Sequence, residues 1–173
     1  MANGNWNGGG IWPAIPSAST VAEIGGQSHF EVDMNWLDSV DGFCQGPIYT
    51  LDPVSKGGNS LKVPISQSEF IWIEFRDNFG YDSYLPGSGV LVTYQDITTG
   101  DFESNELNIN PDRPYLSVVE ADGNNALKTG SNDGESGDVF TNNSSFGSSG
   151  IVIRNHDGIM VQWDVNVELG NTA

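Results

Sequence analysis

The residues of this chain best suited to chemistry are carboxylates set among glycines. Glu120-Ala-Asp122-Gly123 is followed by Asp133-Gly-Glu135-Ser-Gly-Asp138, so acids alternate with glycine and hydroxyl residues. Calcium takes roughly six to eight oxygen ligands in flexible geometry, and glycine lets a backbone wrap the ion. Glu120, Asp122, Asp133, Glu135 and Asp138 are therefore the candidate calcium ligands. Their spacing does not match the twelve-residue EF-hand loop, and no flanking helices are predicted. The competing reading is a solvated acidic loop.

Catalytic patterns are harder to find. His29 and His156 are the two histidines, far apart and outside any HExxH context, which argues against a catalytic zinc. His156 lies in Asn155-His-Asp-Gly158, a turn-forming sequence. Neither a GxSxG elbow nor a nucleotide fingerprint occurs. Cys44 is the single cysteine, so no intramolecular disulfide can form, and a small buried side chain is its expected role. A glycosidase-like acid pair could always be assembled from 23 Asp and Glu, so that possibility carries no information. Glu74 and Arg76 project from one face of a strand and read as a structural salt bridge rather than an active site. A non-enzymatic protein is the expectation.

With 23 acids against 6 Lys and Arg, the formal charge is −17. Such a surface disfavours nucleic acid and anionic membranes, and bound divalent cations would relieve its self-repulsion. No apolar run reaches membrane-spanning length, and Met1-Ala-Asn-Gly-Asn is no signal region.

The elements that must position these residues are short. Phe30–Trp36 alternates with Phe30, Val32, Met34 and Trp36 on one side, and Ile159–Val167 alternates with Ile159, Val161, Trp163, Val165 and Val167 together. Further strands are expected at 48–51, 60–65, 70–75, 90–94, 115–120 and 151–154, joined by glycine-rich turns. The predicted fold is all-β, a two-sheet antiparallel, jelly-roll-like β-sandwich over residues 28–173, preceded by a Gly/Asn-rich arm over 1–27. Residues 129–149 are expected to form a long acidic Gly/Ser/Asn loop.

The order of several segments resembles a known family. Asn35-Trp-Leu37, Tyr49-Thr-Leu-Asp-Pro53, Trp72-Ile-Glu-Phe-Arg76, Gly80-Tyr-Asp82, Leu85-Pro-Gly-Ser-Gly-Val-Leu-Val92, Val119-Glu-Ala-Asp-Gly123, Gly137-Asp-Val-Phe140 and Ser149-Gly-Ile-Val-Ile153 are similar to the region downstream of the active site in immune inhibitor A-type, gametolysin-like metalloproteases. The resemblance spans about Ser28 to Val167 and lacks the zinc-binding helix. It implies a β-sandwich accessory domain, an extracellular or cell-surface location and a structural calcium, with Glu120, Asp122 and Asp138 at matching positions; Asp133 and Glu135 come from loop chemistry alone. Where that family has a helix before the Trp-Leu motif, Phe30–Trp36 has strand periodicity, which suggests a free-standing unit.

The expected function is a secreted, calcium-stabilised binding or assembly module. One alternative is self-assembly of copies by strand addition at an open edge. Another is glycan binding through Trp6, Trp12, Tyr81 and Tyr84, whose ring faces can stack on sugars, although docking onto the core is the commoner fate of such rings. Asn142 and Asn143 both begin glycosylation sequons.

Overall fold

The computed structural model describes residues 8–26, 29–33, 38–40, 43–101 and 103–170, of which 38–40 and 43–46 by their backbone alone. Trp6, Met34, Trp36 and the side chain of Cys44, each assigned a role from the sequence, therefore lie outside what is described.

Among the described residues the fold is all-β, with ten strands in two five-stranded mixed sheets and two short helices. The strands are β1 (His29–Glu31), β2 (Asp38–Val40), β3 (Phe43–Leu51), β4 (Ser60–Pro64), β5 (Glu69–Arg76), β6 (Gly89–Asp96), β7 (Leu116–Val118), β8 (Ser144–Gly147), β9 (Ile151–Val152) and β10 (Trp163–Leu169). The helices are α1 (Ala18–Glu23) and α2 (Ala126–Thr129). One sheet runs β1-β4-β5-β6-β7 and the other β2-β3-β10-β8-β9.

Period-two burial explains why these segments are strands. Ile71, Ile73 and Phe75 of β5, Val90 and Val92 of β6, and Val165 and Val167 of β10 are each at most 2% exposed, and all join one apolar cluster fed by both sheets. The opposite face of β5 is not solvated: Trp72, Glu74 and Arg76 are also buried, and α1 packs against this strand. The helix lies in the segment expected to be an irregular arm. Glycines and asparagines around it conceal a six-residue helix held by its contact with the sheet and not by any side-chain cap.

Three expectations need correction. The sheets are not purely antiparallel, because β1 pairs β4, β3 pairs β10 and β8 pairs β9 in parallel. Alternation reports which face a residue occupies but not the direction of a neighbour distant in sequence. The expected loop over 129–149 contains β8, which lies between β10 and β9. Its Ser, Phe and Gly residues carry little strand signal, yet Phe146 is fully buried, and a Cβ on Gly147, at φ +145°, would fall 1.9 Å from the Trp163 carbonyl oxygen. Finally, Phe30 and Ile159 do not face the core. Phe30, 55% exposed on edge strand β1, borders a depression beside Tyr49 and Leu61; Ile159, 64% exposed, sits at the end of the Arg154–Met160 turn before β10 begins.

Phe146→Ala is expected to destabilise the protein by about 3–5 kcal/mol in urea unfolding, because it combines lost burial with a cavity. Phe30→Ala should cost less than about 1 kcal/mol in the same measurement.

Candidate functional site

The end of β7 and the segment following α2 bring Glu120, Asp122 and Asp138 together: one oxygen of each lies within 4.8 Å of the others. Backbone bonds fix the approach, since Ala121 N–H donates to Asp138 O and Asp122 N–H to Gly137 O, both at 3.1 Å. A Cβ on Gly137 would lie 2.7 Å from Asp122 Oδ2, so glycine is what admits that carboxylate. Glu120 accepts N–H bonds from Ala126 (2.7 Å) and Lys128 (3.3 Å), which tie it to α2. Asp122 accepts from the Asn124 side chain at 2.8 Å.

Asp138 is the unusual member of the group. It is 4% exposed, and its Oδ2 accepts the Glu135 N–H at 2.7 Å, while its Oδ1 is buried without a partner. Burial, and then the charges of Glu120, Asp122 and Glu135, push its carboxyl above the usual range even though the Glu135 N–H pulls the other way. A buried anionic oxygen without a donor, among like charges, suits a hard cation that takes oxygen ligands. Glu135 stands beside this group, where its Oε1 accepts from the Asn124 and Asn132 side chains at 2.9 and 2.8 Å. Asp133 is exposed and is not one of the three clustered acids.

The sequence-proposed aromatic residues gather elsewhere. The Trp12 and Tyr81 rings are 5.8 Å apart at a tilt of 56°, and Trp12, Tyr81 and Tyr84 are all exposed. Gly8 touches Tyr84: a Cβ there would come within 2.8 Å of its ring. Asp82, next in sequence to Tyr81, belongs to a buried charge network. Arg76 grips Asp82 through two bonds of 2.8 Å and reaches Glu74 at 3.5 Å. Ile15 closes the network, with its N–H on Asp82 Oδ1 (2.9 Å) and its carbonyl receiving Arg76 Nη2 (2.7 Å). Burial raises the Glu74 carboxyl despite the guanidinium beside it. Glu74 and Arg76 thus form a buried ion pair, and Arg76 together with Asp82 holds the backbone of Ile15.

A third constellation was missed from sequence. Glu69 and Asp96 stand opposite each other at the ends of β5 and β6, and the 154–160 turn delivers His156 to them. His156 Nδ1 meets Asp96 Oδ2 at 2.6 Å, its backbone N–H donates to Glu69 Oε1 at 2.7 Å, and its ring packs on Tyr94 with centroids 5.0 Å apart. Tyr94 hydroxyl also donates to Glu69. Burial alone would raise both carboxyls, but bonds from Tyr94, His156 and Ser66 hold Glu69 below its usual value, and Thr98, His156 and Arg113 do the same for Asp96. The hairpin pairing of two apolar strands was the available clue to Glu69 and Asp96; nothing in a turn sequence announced His156. The triad offers one nitrogen and two oxygens to a metal, but every one of these carboxylate oxygens already has a protein donor.

Two outcomes follow from these networks. Arg76→Met should cost about 3–5 kcal/mol in chemical denaturation, because Glu74 and Asp82 would be left buried and unpaired. Glu69 and Asp96 have depressed pKa values when folded, so their stabilisation is present above the ordinary carboxylate range of about 4 and is lost as pH falls through their folded values. His156→Gln removes a partner that holds the Asp96 carboxyl low and should move the acid-unfolding midpoint, followed by circular dichroism, to higher pH. Comparison with known protein families, curated proteins and solved structures gives no match for this chain.

Proposed function

We infer that this chain is a secreted, non-catalytic β-sandwich module whose shape is held by calcium at Glu120, Asp122 and Asp138, with Glu135 alongside, and that it serves as an accessory or binding unit of the kind found downstream of metalloprotease catalytic domains. The single observation that carries the reading is the buried, partnerless Asp138 Oδ1 among three neighbouring carboxylates. A cation there would receive that oxygen, neutralise the repulsion and lock the turn after β7 to the segment leading into β8.

A second reading, glycan binding, is favoured by the exposed Trp12–Tyr81 pair with Tyr84 nearby, whose ring faces could stack on a sugar. Assembly by strand addition has less support at β7, where the Asn108 side chain already bonds both the N–H (2.9 Å) and the C=O (2.8 Å) of Leu116 in place of a further strand.

Calcium at about a hundred times its dissociation constant should stabilise the folded chain by about 2.7 kcal/mol, or roughly 5–10 °C in melting temperature for a domain of this size. Excess chelator should reverse the shift, and melting curves identical in calcium and chelator would refute the reading. Asp138→Asn gives a sharper test. Because the folded pKa of Asp138 is raised, its ionised form opposes folding above the ordinary carboxylate range. The amide keeps an acceptor for the Glu135 N–H and adds a donor toward the neighbouring acids, so the ion-free variant should melt higher than the parent while its response to calcium disappears.

A further inference from the structure

The cations of this acidic chain are distributed unevenly in their pairing. Lys62 meets Glu31 at 3.5 Å, Arg76 meets Asp82 at 2.8 Å, and Arg113 meets Asp96 at 3.3 Å. Lys128 and Arg154 form no ion pair among the described residues, although 23 acids compete for 6 Lys and Arg. Both of these side chains line the same pocket, a depression of about 310 Å³ that Tyr94, Ser117, Asn125 and His156 also border. Arg154 spends one N–H on Gly158 O at 2.8 Å, which leaves further guanidinium donors.

We propose that this pocket binds a small, singly charged, hydroxyl-rich ligand, an acidic saccharide whose carboxylate or sulfate group lies between Lys128 and Arg154. Two cations that form no ion pair among the described residues border the same depression on a chain of net charge −17, where each would otherwise find an acid readily. The other groups at the rim select against more highly charged anions. Asp112 and Glu120 also border the pocket, so a second negative charge would meet repulsion, whereas sugar hydroxyls can donate to Asp112 and bond with Asn125, Asn155 and Ser117. Glu120 keeps its oxygens on the N–H groups of Ala126 and Lys128 and so holds the Lys128 backbone in place. This site is separate from the Trp12–Tyr81–Tyr84 surface, and Glu120 belongs both to the pocket wall and to the acidic cluster, which is why each ligand is titrated in calcium and in chelator.

The test is a titration of the full chain, followed by amide and imidazole resonances in heteronuclear NMR, with glucuronate, glucose 6-sulfate, glucose and acetate, each in calcium and in chelator. Saturable shifts at Asn125, Lys128, Arg154 and His156 with glucuronate or glucose 6-sulfate, and not with glucose, are expected; whichever of the two binds identifies the anion. Lys128→Met and Arg154→Met should each weaken binding by about tenfold or more, the loss of a charge-assisted bond, with melting temperature unchanged because both side chains are exposed. The proposal is overturned if neither anionic sugar shifts these resonances in either condition, if glucose or acetate binds as well as they do, or if both variants bind like the parent. The melting curves in calcium and chelator report separately on the ion, so either reading can fail alone.

Discussion

Every buried carboxylate in a protein needs a donor or a counter-charge, and on a chain with 23 acids and 6 Lys and Arg that requirement shapes the fold. Arg76 carries the heaviest share. It is held between Glu74 and Asp82 on the covered face of β5, and it accepts no substitute from solvent because all three side chains are at most 5% exposed. The network is completed by the backbone of Ile15, so the amino-terminal segment is part of the solution to a charge-burial problem. Without it, donors and acceptors inside the sheet would lose partners.

The same constraint is met in different ways at the other two acidic sites. Around Glu69 and Asp96, hydroxyls, backbone N–H groups, His156 and Arg113 satisfy the oxygens, and the carboxyls are held low. Around Asp138 protein donors are too few, and the carboxyl is pushed up. Similar residue types thus give a closed network at one end of β6 and a cluster with an unpartnered buried oxygen after β7. The difference is the supply of donors and not the number of acids.

The acidic cluster and the pocket share Glu120, which binds the N–H groups at α2 while facing Asp122 and Asp138. A helix of four residues has little stability of its own, and here a side chain from outside it satisfies two of its N–H groups. The position of Asn125 and Lys128 at the pocket therefore depends on a carboxylate that belongs to another site.

By itself the sequence determined the all-β class, most strand positions, the Glu74–Arg76 ion pair and the five acids Glu120, Asp122, Asp133, Glu135 and Asp138 as one candidate group. Alternation, turn residues and clustered charge are local, and local patterns survive in one dimension. Tertiary structure alone decided the parallel pairings, the strand hidden at Ser144–Gly147, the helix Ala18–Glu23, the separation of Asp133 from the clustered acids, and the meeting of His156 with Asp96 and Glu69. Each of these depends on what packs against a segment from far along the chain. A serine-rich strand is recognisable once its one phenylalanine is buried, and a turn histidine gains its role when a distant strand end supplies the carboxylate that fixes its ring.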